Sequence, residues 1–379
     1  MFVHVIHRFI RAEYKFIITL LTFLILNVLP YILSSTITTS GTSLTLTITI
    51  FIVMLLGIFN IITHADWLAE TFGEPYGTLI ITLSVITIEV VMIVMVMLIG
   101  NDNPTLARDT LFAIIMIAVN GFAGLSLIIG GIKNSGQMYN SQGTSSYIGM
   151  IILLVTIVLI LPNHTIATSF GTFSIFQSIV VISMCVLLYI TFVVQQTITH
   201  IEHYKHSYET NVEPEERHKP EGSISYHVTL LILGLLIMIL LSKNLSLGLE
   251  YNISEAGLPT TLGGFMIALL VLAPEGISSV KAAYNNRLQR SINLCMGSAV
   301  ATICLTVPSV LIISLVTGKS IILGLGETAI VLITLTFFIT IVTFTRKQTN
   351  TLNGMMLLSI FIIYFALIFD AGSFVVSFG

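Results

Sequence analysis

The chain has 379 residues, of which 55% are hydrophobic and 9% charged, and its mean hydropathy is +1.00. An ordinary soluble domain carries about 25% charged residues. So few charges cannot cover a water-facing surface, which excludes soluble enzymes, nucleic-acid-binding modules and disordered chains.

A helix needs roughly 20 apolar residues to cross a bilayer. Eleven such runs lie near 16–34, 44–63, 76–100, 109–132, 146–162, 173–196, 226–242, 261–281, 291–317, 327–344 and 352–369. The first follows Arg8, Arg11 and Lys15 and has no AxA-type cleavage site, so it reads as a transmembrane helix rather than a secretory signal. Gly73, Pro75 and Gly77 interrupt the start of the third run. The preceding segment holds His64, Asp66, Glu70 and Glu74, which read as a cation-attracting or simply polar loop. Trp67 and Tyr76 beside it read as interfacial anchors.

Cys185, Cys295 and Cys304 all fall inside apolar runs, with no CxxC to suggest a disulfide framework or a metal site. One long polar loop, 197–225, separates the sixth and seventh runs. His200, His203 and His206 share a stripe there if the sixth helix extends past the membrane. A pH or cation sensor is one reading, and a solvated linker is the simpler one.

Basic residues orient membrane helices, because loops rich in Lys and Arg stay in the cytoplasm. With the N-terminus inside, the inner segments hold Arg8, Arg11, Lys15, Lys133, Lys205, Arg217, Lys219, Lys281, Arg287, Arg290, Arg346 and Lys347. The outer ones hold Arg108, Lys243 and Lys319. The bias favours eleven crossings and a C-terminus outside.

Two acids sit deep within spans: Glu89 in the third and Glu275 in the eighth. An ionised group at the bilayer centre costs about 2.5–3.5 kcal/mol on insertion scales, so each is a functional candidate. The plain alternative is a protonated or paired carboxyl acting as structural glue. Glu89 comes 13 residues after Tyr76, and Glu275 comes 14 after Thr261. At about 1.5 Å per residue each lies roughly 20 Å from opposite surfaces, near the middle of a core about 30 Å thick. Pro274 and Gly276 flank Glu275 and predict a break in the helix that lines a cavity.

After the first helix, ten spans divide into two fives, each with its acid in the second helix. An odd-numbered repeat inserts its second copy upside down, the arrangement of many secondary transporters. The predicted organisation is therefore an extra helix in 1–40, a first repeat in 41–196, the loop 197–225 and a second repeat in 226–379. RDTLFAIIMIAVNG (108–121) and RSINLCMGSAVATI (290–303) align without a gap, matching Asn120 to Thr302 and Met116 to Ser298.

GEPYGTLIITLSVITIEV followed by NPTLARDTLFAIIMI resembles the calcium/proton exchanger (CAX) family, in its bacterial ChaA-like branch. LLVLAPEGISSVKAAYNNRLQRSINLCMGSAVATICLTVPSV resembles the second conserved repeat of the same family. The resemblance implies an all-α polytopic protein of a bacterial cell membrane that exchanges Ca2+ for H+ by alternating access. It implies that Glu89 and Glu275 carry the cation or protons, with Asn120, Ser298 and Thr302 on neighbouring helices completing the site. No resident cofactor is expected, since Ca2+ and H+ are cargo; the lipid bilayer is the surrounding partner, and homo-oligomers are left open. The family's broader Gly-Thr-Ser-x-Pro-Glu pattern is not kept: Val85-Ile86-Thr87-Ile88 precedes Glu89, and Val271-Leu272-Ala273-Pro274 precedes Glu275. Exchange of Na+ or K+ for H+ therefore stays open as the alternative.

A cation channel is the competing class, but it has no need of two fives with one acid each. No HExxH, GxSxG or intramembrane aspartate pair points to an embedded enzyme.

Overall fold

The computed structural model describes residues 13–28, 40–73, 76–99, 103–204, 223–345 and 348–370. The helices in chain order are α1 (Tyr14–Phe23, continued as a π turn Leu24–Val28), α2 (Ser40–Phe72), α3 (Tyr76–Ile99), α4 (Leu106–Asn134), α5 (Ser141–His164), α6 (Ile175–Thr199), the short α7 (Ile201–Tyr204), α8 (Ile224–Glu255), α9 (Thr261–Tyr284), α10 (Leu288–Thr317), α11 (Glu327–Phe344) and α12 (Thr351–Ile368). Among the described residues nine helices are long and apolar enough to cross a bilayer; Tyr14–Asn27 and Thr82–Met95 are shorter apolar segments.

The helix boundaries follow local chemistry. Ser174 and Gln177 form a capping box at the start of α6, while the Asn140 and Asn350 side chains cap α5 and α12. Gly73 and Gly318, at φ +69°, follow the ends of α2 and α10 in the left-handed conformation that glycine adopts without penalty.

The described residues have a mainly apolar core with polar groups buried in it, and large apolar side chains also cover the outside. Glu89, Asn120 and Ser279 are fully buried, whereas Phe176 is 76% exposed and Val316 81%. Lipid is the solvent in which that distribution is favourable, and the protein is an integral membrane protein.

The described helices fall into two packing units, one made of residues 1–102 and 216–258 and the other of 103–215 and 259–379.

In the first unit α2 packs along α8, and α1 and α3 lie against both. At one end Asn252 Nδ2 donates to Thr47 Oγ1 at 2.9 Å, and Asn244 Nδ2 donates to Asn27 Oδ1 at 3.1 Å. At the other end Glu13, Asn60, His64, Tyr226 and His227 meet. The Glu13 carboxylate accepts hydrogen bonds from Tyr226 Oη (2.6 Å) and Asn60 Nδ2 (3.0 Å), and His64 Nε2 lies 3.3 Å away.

This corrects the reading of the segment before the third run as a loop. His64, Asp66 and Glu70 belong to the continuous α2, and His64 is buried, because at this end α2 has polar partners on α1 and α8. Trp67 is not a lipid-facing anchor: its indole stacks on His227, 3.9 Å between centroids and 7° from parallel. Glu74 and the Tyr76 side chain lie outside the described residues.

Burial raises the Glu13 pKa, but hydrogen bonds from His64, Tyr226 and Asn60 and the charge of His64 outweigh it and hold it at about 2. Because the folded value is depressed from the usual 4.5, Glu13 stabilises the fold above about pH 4.5. The contribution is lost as the pH falls towards 2. Glu13→Ala would strip three donors of their acceptor, and at pH 7 it is expected to cost about 2–4 kcal/mol. Thermal unfolding of the purified protein measures this directly.

In the second unit the connections segregate to two ends. At one end Gln137–Met138 pairs antiparallel with Gln348–Thr349, Gln137 Nε2 donates to Ala283 O (2.7 Å), and Asn293 Nδ2 donates to Tyr204 O (2.7 Å). At the other end Ile322 N donates to Pro104 O, Leu323 N donates to Gly171 O, and Asn163 Nδ2 donates to Leu325 O. Arg108 anchors the same end, with Nε 2.8 Å from Asp109 Oδ1 and Nη1 3.3 Å from Gly324 O.

The sixth helix does not continue through the histidines. It closes in a π turn, Gln195–Thr199, and His200 leaves helical geometry at φ −129°, ψ 37°. The chain is then held by Asn140 Nδ2 on Glu202 O and by the packing of Tyr204 on Tyr147 and Phe192. His200 and His203 still lie close, 5.1 Å between ring centroids. His206 lies outside the described residues.

Candidate ion-binding site

Glu89 belongs to the first unit and Glu275 to the second. In the first, α3 carries Glu89 at 0% exposure, flanked on its helix by buried Val85, Ile86, Ile88, Met92 and Ile93. The helix packs on α2 and α8. Full burial of a carboxyl group is an expensive placement unless partners meet it.

In the second unit α9 remains α-helical from Thr261 to Tyr284, straight through Pro274. The expected break is therefore absent. Proline removes one backbone donor, a loss that a helix packed inside a membrane protein tolerates. Beside Glu275, the Phe122 ring of α4 occupies the place where a Gly276 side chain would be. Glu275 is half-buried. The Ser298 hydroxyl of α10 donates to it, while its Oε2 is buried and accepts no hydrogen bond from the described residues.

The irregularity lies in α4 instead, where Met116–Phe122 is a π segment. Such segments displace the helical register and often mark functional sites. Asn120 lies within it, fully buried, with Nδ2 donating to Thr336 Oγ1 of α11 at 2.9 Å; its Oδ1 has no described partner. Thr302 on α10 is buried as well. The structure thus joins Ser298 to Glu275, and joins Asn120 to Thr336.

Thr336 and a chain of small polar side chains one turn beyond Glu275 are not among the residues the sequence singles out. Ser279 Oγ lies 3.0 Å from Ser126 Oγ and accepts from Cys295 Sγ at 3.0 Å, all three side chains being buried. The signal was present in the spacing, since Ser279 is four residues after Glu275 and Cys295 three before Ser298, each on the same helical face.

This fold and its residues have close counterparts. The chain matches the family described as sodium/calcium exchanger protein over residues 42–198 and 226–369. It is 37% identical over 337 residues, 87% of this chain and 91% of the other, to the sodium-potassium/proton antiporter ChaA of Escherichia coli (strain K12). In fold it is similar to native YfkE, with a TM-score of 0.71 and 17% identity, covering 94% of this chain and 99% of that one. It is also similar to the H+/Ca2+ exchanger CAX, with a TM-score of 0.67 and 16% identity, covering 94% and 88%.

Proposed function

The chain belongs to the sodium/calcium exchanger protein family, and from that premise we propose that it is a secondary active cation/proton antiporter working by alternating access. Glu89 and Glu275 are the groups that carry either cation or protons. The observation that carries the assignment is a buried carboxylate oxygen of Glu275 with no hydrogen-bond donor among the described residues, beside a serine hydroxyl, in the middle of an apolar helix.

The exchange logic follows from charge. An ionised, empty carboxylate in a low-dielectric setting is costly, so each acid holds a proton when no cation is bound. The loaded and protonated forms can cross between the two faces, and the bare one cannot. Coupling needs no other device. Two carboxylates match the charge of Ca2+, and hydroxyls, backbone carbonyls and water complete the six to eight oxygens it prefers. Asn120, Ser298 and Thr302 supply side chains of that kind. Like other transporters of this type, the protein is not an enzyme and needs no resident cofactor.

The eleven-span topology, with the N-terminus inside, the C-terminus outside and two inverted five-helix repeats, belongs to the same proposal. It is supported by the distribution of basic residues and by the two segments over which the family match runs, one on each side of the 197–225 loop.

Na+ or K+ in place of Ca2+ is the second reading. The name of the Escherichia coli relative favours it, as does the lack of a hydroxyl residue immediately before either acid. A competition assay in reconstituted vesicles separates the two. With an imposed pH gradient, Ca2+ exchange predicts 45Ca2+ uptake that a tenfold excess of Na+ or K+ does not suppress, the tenfold being about 1.4 kcal/mol of discrimination. Uptake of 22Na+ or 86Rb+ that excess Ca2+ leaves untouched assigns the monovalent reading. Flux that persists without a counter-gradient would instead point to a channel.

A further inference from the structure

The polar cluster at the end of the first unit takes no part in the transport chemistry above, yet its atoms are arranged to count protons. His64 Nδ1 and His227 Nδ1 lie 2.9 Å apart, and both side chains are buried. At that distance one nitrogen donates and the other accepts, so a single hydrogen lies between them. The gap is too short for two ring nitrogens to share a metal ion at their usual bond lengths of about 2.0 Å each in tetrahedral geometry. His64 Nε2 faces Glu13 Oε2 at 3.3 Å, and Tyr226 Oη and Asn60 Nδ2 occupy the rest of that carboxylate. Trp67 covers the face of the His227 ring.

With both rings neutral, the His64–His227 and His64–Glu13 contacts are both met and the cluster carries the charge of Glu13. One added proton makes an imidazolium, keeps every contact and neutralises the buried carboxylate. If it resides on His227, it also lies against the indole face, a favourable cation–π position. A second proton would set N–H against N–H and break the pair. We propose that Glu13, His64 and His227 form a one-proton binding site, distinct from Glu89 and Glu275, that clamps the start of α1 onto α2 and α8 and loosens as its proton leaves.

The surroundings fit a self-contained site. On the N-terminal side, Lys15 directs its ammonium at the rings of Phe59 and Tyr14, 5.6 and 5.9 Å from their centroids. On α2 the other acids, Asp66 and Glu70, are exposed. On α3 the buried acid is Glu89, 13 residues from the helix start and so roughly 20 Å along it. On α8 Tyr226 donates to Glu13 itself. With 33 and 32 residues, α2 and α8 are each about 50 Å long, well beyond a hydrocarbon core of about 30 Å, so ends of this kind reach water and its protons. Imidazole titrates in the range between about pH 5 and 8, where such a clamp would respond.

The test uses the full-length protein in detergent micelles, with no transport measured, so it stands or falls apart from the antiporter assignment. 15N-histidine NMR, assigned with His64→Gln and His227→Gln, follows ring protonation from about pH 5.5 to 8.5. The expected result is one proton taken up jointly by the two rings. Thermal unfolding should fall with rising pH over the same range. The double variant His64→Gln/His227→Gln should flatten that slope, and Glu13→Gln should cut it by about half or more through loss of the counter-charge, while Asp66→Asn leaves it unchanged. Two rings titrating independently, no titration, or an unaltered slope in Glu13→Gln would each overturn the proposal. If the double variant does not fold, the wild-type NMR count and Glu13→Gln still decide.

Discussion

Glu275→Gln is expected to abolish pH-gradient-driven cation uptake in everted vesicles while leaving the protein folded. The carboxamide keeps the shape of the side chain and an oxygen to accept from the Ser298 hydroxyl. It can neither hold the exchanged proton nor offer a negative charge to the cation. Removing one partner of a buried charge interaction costs about 2–5 kcal/mol, which is at least about 30-fold in rate or affinity. Glu89→Gln should behave alike, since a second carboxylate cannot substitute for the first when both charges are needed. Glu275→Asp keeps the charge but withdraws it by one methylene, so it should retain partial flux with weakened cation affinity. Thermal unfolding run beside the flux assay separates lost chemistry from lost fold. Wild-type flux in either glutamine variant would remove that acid from the transport site.

Gly354→Leu is expected to collapse the yield of folded protein. A side chain at this position would stand 2.6 Å from Gly124 O and 2.8 Å from Ile128 N. Reciprocally, one at Gly124 would stand 2.9 Å from Leu358 N and 3.1 Å from Gly354 O. Here α4 and α12 touch backbone to backbone, the close approach that small residues permit between membrane helices. Flexible side chains can yield to an added carbon, but these backbones have nothing to move. Overpacking usually costs about 1–3 kcal/mol, and a contact against main chain on both sides belongs at or above the upper end. Met355→Leu, one residue on and 49% exposed, is the control and should be neutral. Size-exclusion profiles of the two variants make the comparison. A monodisperse Gly354→Leu protein of normal melting temperature would refute the close contact.

The two predictions differ in how visible their residues were in the sequence. Glu89 and Glu275 stood out because charge is scarce in the spans and its cost in lipid is large, so two acids in apolar runs needed no neighbours to be noticed. Gly354 did not stand out among 27 glycines. Its importance depends on which helix faces it, and hydropathy carries no information about that. The π segment around Asn120 is similar. Met116–Phe122 reads as ordinary apolar helix, and the displaced register becomes apparent only where Asn120 meets Thr336. Pro274 misled in the opposite direction. Its local preference is for a break, but the helix runs on from Thr261 to Tyr284.

By itself, then, the sequence determined the class of protein, the runs that become helices, and the two acids worth testing. These are consequences of single-residue transfer energies and of spacing along one chain. Only the tertiary structure decided the partners. It gave Glu275 a serine partner, and turned the segment around His64 from a polar loop into the end of a continuous helix in which His64 is buried. There a glutamate from the start of α1 and a histidine from the start of α8, 163 residues further along the chain than His64, converge on one hydrogen-bonded pair. Polar groups inside lipid must find one another, and which ones meet is settled by helix packing over distances that no local pattern records.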